Sequence, residues 1–266
     1  MPVYHTEAGT VEMLEWGDGP ELMVLLHAAA AGPQSLSALA VMLLRPGRRV
    51  IAPALQHYGA TVMYNDVDRV QAHIDVLRTC IETHVAERCV VFGHSMGGLV
   101  GLLGAVDGLA LDALVLYEPI VTACLRADLV GEAALRDWDR SIVAEVERSI
   151  ATGNPEAGIA GFIDAWNEAP WSELPPSVRA RLVASAGQLA TDMRAVSYRS
   201  VPVDRLGTLP TPVLLLQGAL SPAITHAMTA RLAAVLPQAR RVTIEGCLHM
   251  GPVQMPAAVF QSIGSW

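Results

Sequence analysis

The segment Gly93-x-Ser95-x-Gly97 sets a serine hydroxyl between two residues that have no side chain. The run before it, 89–92, is apolar and reads as a buried strand; the run after it, 99–106, has helical spacing. A serine between a strand and a helix stands on a sharp turn with strained backbone. Residues two before and two after it must be small, because strand and helix approach closely there. The turn lifts the Ser95 hydroxyl above the end of the strand. It also points the first amides of the helix at the same spot, where they can stabilise an oxyanion. A hydroxyl is a poor nucleophile until a base takes its proton. The expected base is His249, which follows the last predicted strand and so lies on the same carboxyl edge as Ser95. The chemistry would be covalent acyl transfer.

An imidazole base needs an acid to orient it and to stabilise its charged form. No Asp or Glu lies between Leu206 and Arg241. Glu118 stands at the carboxyl end of the predicted strand 111–117. Neighbouring strand ends sit roughly 5 Å apart, so a carboxylate there can reach the imidazole. Asp112 begins the same strand and belongs to the opposite edge. Glu245 is close to His249 in sequence but sits on a strand itself. Glu118 is the expected acid, and the alternative is that no residue serves.

These residues need a sheet whose strand ends share one edge. Alternation over 10–16 predicts an opening hairpin within residues 1–20, and Gly17-Asp18-Gly19-Pro20 marks a turn. A strand follows at 21–26 and ends at His27; others are predicted at 49–52, 211–218 and 241–245. Predicted helices cover 35–44, 66–84, 132–150, 154–167, 176–195, 223–236 and 256–263. In 66–84, Val67, Val70, Ile74, Leu77 and Ile81 recur at helical spacing. Asn154-Pro155 has the form of a helix start. Alternating strands and helices imply a mostly parallel sheet. From 120 to 203 the strand pattern stops, and Trp138, Phe162, Trp166 and Trp171 lie in that stretch.

With 266 residues the chain can form one large α/β domain with an insertion. Hydrophobic residues make up 52% and charged residues 17%, a balance suited to a sheet buried on both faces. A formal charge of −8 argues against a nucleic-acid surface. No run approaches the roughly 20 apolar residues of a membrane span. The N-terminus lacks the basic start and apolar core of a signal peptide, so a cytoplasmic location is expected. Cys80, Cys89, Cys124 and Cys247 have neither metal nor disulfide spacing and read as reduced core residues.

Over nearly its whole length the chain resembles a capped member of the α/β-hydrolase superfamily. Gly93-His94-Ser95-Met96-Gly97 resembles its nucleophile elbow, and Gly246-Cys247-Leu248-His249-Met250 resembles its Gly-x-Gly-His-Met segment, with Leu248 for the second glycine. The resemblance implies a core of 1–119 and 204–266 with a helical cap at 120–203. It implies oxyanion amides from Met96 and, by position, Ala29. There the usual His-Gly reads His27-Ala28, which matters only if that backbone needs positive φ. The usual acid follows the strand at 211–218 in a Gly-x-x-Asp-Pro-like loop. This chain has Gly218-Ala219-Leu220-Ser221-Pro222, and a serine cannot carry the charge. Some haloalkane dehalogenases and a zearalenone lactonase carry their acid where Glu118 stands.

His27, Ala28, His94, Trp166, Asn167 and Met250 are the expected pocket residues, with His27 bracing its loop and His94 packed under the elbow. In the segment 53–61, Ala54 replaces the family's acid, and His57 and Tyr58 read as surface loop residues, with a place at the border of the pocket as the alternative. The substrate implied is a small to medium apolar ester or lactone, because the cap is rich in aliphatic residues and tryptophan. No metal, cofactor, nucleic-acid or membrane partner is implied, and a homodimer stays open. Two rival readings remain. One is hydrolysis of a carbon–carbon bond, or perhydrolysis, on the same serine. The other is a ligand-binding protein of this fold with little turnover.

Overall fold

In the middle of the sheet, apolar runs too short for helices form strands that bury both faces; the edge strands are polar in part and half exposed. β1 (Val3–Thr6), β2 (Gly9–Trp16), β3 (Glu21–Leu26), β4 (Arg48–Pro53) and β5 (Val62–Met63) make the first half of a nine-stranded sheet. β6 (Arg88–His94), β7 (Ala113–Tyr117), β8 (Val213–Gly218) and β9 (Ala239–Ile244) make the second. The computed structural model describes residues 1–167, 170–264 and 266. The strand order is β1-β2-β4-β3-β6-β7-β8-β9, with β5 paired to β2. From β4 to β9 the neighbours run parallel; β1 and β2 are antiparallel. The opening hairpin is β1 with β2. The turn at 17–20 does not close a second one, because β4 lies between β2 and β3.

Helices cover both faces. α1 (Ser37–Leu43) lies on one, and α2 (Arg69–Thr83) and α3 (Met96–Val106) lie on the other. Residues 120–203 carry α4 (Val130–Ala151), α5 (Pro155–Asn167), α6 (Pro176–Ala184) and α7 (Ala186–Ser197), followed by the short α8 (Val203–Leu206). No strand occurs there among the described residues. α9 (Ala223–Val235), α10 (Gly251–Gln254) and α11 (Pro256–Ile263) complete the chain. Val100, Leu103 and Leu232 fill one side of the sheet; Leu39, Leu43 and Val259 fill the other. Each fully buried side chain of this kind contributes about 1.5–3 kcal/mol. Val143, Val146, Ile159 and Leu189 form a separate apolar cluster in the helical segment.

β5, α8 and α10, all short, have no counterpart among the expected elements, and two expected helices differ in extent. The helix expected over 66–84 begins only at Arg69, because the Asp68 side chain accepts from the Gln71 N–H at 3.1 Å and caps it. Val67 is left outside, 94% exposed. The helix expected over 176–195 is two helices. Ser185 breaks it, at φ −97° and ψ 11°, with its hydroxyl bonded to the Leu182 carbonyl at 3.1 Å. A serine hydroxyl competes in this way with the helical ladder. No helix among the described residues is long and apolar enough to cross a membrane.

Candidate active site

The sheet register brings the chemistry to one edge. His94 pairs with Tyr117, and Tyr117 pairs with Leu216, so the residues after β6, β7 and β8 emerge side by side. Ser95 sits at φ 56° and ψ −115°, a conformation that costs an L-residue of order 1–3 kcal/mol. Its neighbours hold it there. The Ser95 N–H donates to the Tyr117 carbonyl at 3.0 Å, and its carbonyl accepts from Gly98 and Leu99. A Cβ on Gly93 would lie 2.5 Å from the Gly97 carbonyl oxygen, and one on Gly97 would lie 2.3 Å from that of Leu26. The two glycines are thus required by close approach on both sides of the serine.

Ser95, His249 and Glu118 lie within hydrogen-bond distance in series. The Nδ1–H of His249 donates to Glu118 Oε2 at 2.7 Å. That fixes the tautomer and leaves Nε2 as an acceptor, 3.2 Å from the Ser95 hydroxyl. Glu118 is fully buried and has φ 45°. Its N–H donates to the Leu216 carbonyl at 2.9 Å, and its Oε1 accepts from the Gly218 N–H at 2.7 Å. The acid is therefore clamped to the end of β8. Ser221 does not take part: its hydroxyl is buried and has no partner among the described residues.

The loop that carries His249 is tied down from below. The Nε2–H of His94 donates to the His249 carbonyl at 2.8 Å, and the Tyr117 hydroxyl donates to the Leu248 carbonyl at 2.7 Å. Burial, then the nearby His249, hold the His94 imidazole well below the usual range and therefore neutral. His27 braces the loop after β3. Its Nδ1–H donates to the Ala28 carbonyl at 2.8 Å, and its Nε2 accepts from the Leu55 N–H at 3.1 Å. Burial pushes its imidazole down to about 4. Neither histidine is among the residues lining the cavities next to Ser95, contrary to expectation; both rings are fully buried behind them. His27 spends both nitrogens on backbone groups and His94 spends its Nε2 on one; the His94 Nδ1 is buried with no partner among the described residues.

Two cavities meet at Ser95 and His249. The larger, about 270 Å³, is walled by Ala28, Ile163, Leu182, Met250 and Val253. The smaller, about 40 Å³, touches Met96, Ile120, Asp139 and Met193. Ala29, Phe162 and Trp166 line both. The Trp166 ring centroid lies 5.0 Å from that of His249. Asn167 ends α5, and its side chain lies outside the described residues. Met96 is the first residue of α3, so its N–H has no intrahelical acceptor. Ala28 does not have positive φ; the left-handed residue is Ala30, at φ 62°. A methyl group at 28 therefore costs no left-handed strain.

From sequence Tyr58 reads as a surface residue, and Asp192 and Asp139 are not singled out. The Tyr58 hydroxyl accepts from the Ala30 N–H and donates to Asp192 Oδ2, both at 2.9 Å. It thus joins α7 to the loop after β3 rather than standing on the surface. Asp192 Oδ1 also lies 3.4 Å from Arg69 Nε and 3.4 Å from His73 Nε2. A sequence signal for both acids exists. Asp139 falls in one buried row with Val143 and Val146, and Asp192 in another with Leu189 and Val196. An acid inside an apolar stripe has to be explained by a partner or a ligand.

No curated protein matches the chain. Solved structures share its fold. A hydrolase from Pseudomonas aeruginosa PA01 is 22% identical, with TM-score 0.74, over 98% of this chain and 96% of that one. The esterase EaEST from Exiguobacterium antarcticum is 14% identical, with TM-score 0.76, over 96% and 94%. A thermophilic esterase from Thermogutta terrifontis is 23% identical, with TM-score 0.70, over 96% and 92%. The sequence profile of the alpha/beta hydrolase family matches residues 23–262. That match spans the elbow, Glu118 and His249 together with every strand from β4 to β9, and the chain belongs to the alpha/beta hydrolase family.

Proposed function

We propose that the protein is a serine hydrolase that cleaves a small to medium apolar carboxylic ester or lactone through a Ser95 acyl-enzyme. The observation that carries this reading is the hydroxyl of Ser95 at 3.2 Å from His249 Nε2, with Glu118 on the other ring nitrogen. Ser95 Oγ attacks the carbonyl carbon while its proton passes to His249 Nε2. The amides of Met96 and Ala29 hold the oxyanion. The carbon–oxygen bond to the alcohol breaks, and the alcohol leaves with the proton from His249. Water then gives a proton to His249, attacks the acyl carbon and releases the acid; the proton returns to Ser95.

The helical segment 120–203 serves as the cap. The lining of the larger cavity is mainly apolar, Ile163, Leu182, Met250 and Val253 among it, with Arg181 and Gln254 as polar exceptions, and suits a largely apolar substrate. The test is covalent labelling. A fluorophosphonate probe labels Ser95, and Ser95→Ala abolishes both the labelling and the turnover of p-nitrophenyl esters. Labelling of another serine with Ser95 untouched would overturn the mechanism. Labelling of Ser95 without turnover of any ester or lactone would support the binding-protein reading instead.

A further inference from the structure

The smaller cavity beside Ser95 contains a buried acid that acyl transfer does not use. Asp139 projects from the buried row of α4 and is 3% exposed. Its Oδ2 is buried with no hydrogen-bond partner among the described residues, and the residue borders a cavity that also touches Ser95 and His249. Asp192 lines the same cavity, but the Tyr58 hydroxyl occupies it and Arg69 lies beside it. Burial pushes the Asp139 carboxyl up; hydrogen bonding with Ser197 and the charge of Arg140 pull it only partly back. A carboxyl desolvated with one oxygen left unpartnered destabilises the fold. Here the missing partner has room to enter. About 40 Å³ accommodates a group of roughly two or three heavy atoms.

We propose that this cavity is the subsite for a short acyl group bearing a hydrogen-bond donor, a hydroxyl or an amine, and that Asp139 accepts its hydrogen bond. The assignment rests on the Ser95 acyl-enzyme reading and narrows its substrate class. The larger cavity, about 270 Å³ and mainly apolar, then takes the alcohol part. Of the other walls, Asp192 is the second anion, but its Oδ2 takes the Tyr58 hydroxyl and its Oδ1 faces Arg69 and His73 at 3.4 Å; Ser197 is polar, and Ile120, Met193 and Val196 are apolar. A site that desolvates an acceptor discriminates strongly against analogues lacking the donor, because they leave the acceptor unpaired.

Phenyl esters test this, since only their acyl part fits the small cavity. The quantity read is the ratio of kcat/KM for phenyl 2-hydroxypropionate, or for phenyl 2-aminopropionate, to that for phenyl propionate. A ratio cancels any loss of folded enzyme. Asp139→Leu should lower the preferred donor's ratio by about tenfold or more. It should also raise Tm, whereas a merely structural Asp139 would lose stability. Asp139→Asn keeps an acceptor oxygen and removes the charge. It should retain most of a hydroxyl preference and lose an amine preference, which separates the two donors. If Asp139→Leu fails to fold, Asp139→Asn with phenyl 2-aminopropionate and a hydroxyl ratio above that of phenyl propionate in wild type decide the matter. Ratios independent of residue 139, with Ser95 labelled and all esters cleaved, overturn the proposal and leave the esterase reading standing. Absence of both labelling and cleavage in wild type overturns the two together.

Discussion

Glu118 adopts a left-handed φ of 45° and buries its carboxylate fully, two features that a mid-sequence glutamate ordinarily avoids. Both follow from its place one residue beyond β7. Its N–H must meet the Leu216 carbonyl, and its side chain must reach His249 Nδ1 and the Gly218 N–H at once. Glu118→Gln keeps this shape. It can still accept from Gly218, but it then turns an amide N–H toward His249 Nδ1. That forces the proton to Nε2, where it blocks acceptance from Ser95. We expect kcat to fall by about 10²–10⁴-fold, with the urea midpoint changed much less. Near-normal kcat in folded Glu118→Gln would show that the carboxylate is not needed. Ser221→Ala should cost far less, because its hydroxyl has no partner to lose. Ser221→Asp in the Glu118→Gln background should recover part of the rate if the loop after β8 can present an acid to the same nitrogen.

At the scale of elements, legibility followed how local each constraint is. The elbow was readable because close packing of β6 and α3 acts within five residues, 93–97. The place of Glu118 was readable because parallel register carries a strand end to its neighbour's end without further information. The break at Ser185 and the late start of α2 depend on one side-chain hydrogen bond each, which apolar periodicity does not register. The link from α7 to the loop after β3 was out of reach for a different reason. Tyr58 and Asp192 are far apart in the chain, and only the packed helices bring them to 2.9 Å. Tyr58→Phe tests that link. It strands the Ala30 N–H and removes a donor from Asp192, so unfolding free energy should drop by about 1–3 kcal/mol at unchanged urea m-value. Because Ala30 adjoins the Ala29 amide, kcat should fall with little change in KM. A fall in KM affinity alone would place the effect in the pocket rather than the oxyanion loop. Trp166→Ala should change acyl-length preference more than stability, since the ring borders both cavities and His249. An unaltered preference would make it core filling only.

For the whole molecule the question is how stability responds to acid, and two effects oppose. A net charge of −8 implies self-repulsion, which protonating surface carboxylates would relieve. Those charges face water, and at physiological ionic strength they are screened beyond about 8 Å. Buried groups are screened far less; Asp139, whose carboxyl burial raises, gains stability as pH falls, but the two buried histidines and Glu21 point the other way. His27 has an ordinary value of 6.5 when unfolded and about 4 when folded, because burial disfavours its charge. Between those values the unfolded chain binds a proton that the folded chain refuses, so stability falls as pH drops from 6.5 to 4. The loss is on the order of 3 kcal/mol, at about 1.4 kcal/mol per unit. His94, held down by burial, adds with the same sign. Glu21 takes over below that window. Burial raises its carboxyl, but Arg48 and Arg45 outweigh burial and bring it to about 2 from 4.5, so its contribution is lost between 4.5 and 2. The buried terms exceed the screened one, and unfolding free energy from urea melts should decline continuously from pH 7 to pH 4. His27→Asn should flatten that slope, at the expense of stability at pH 7 through the bond to the Leu55 N–H. If His27→Asn leaves the slope between pH 6.5 and 4 unchanged, the acid lability lies elsewhere, and His94, which contributes with the same sign, becomes the group to substitute.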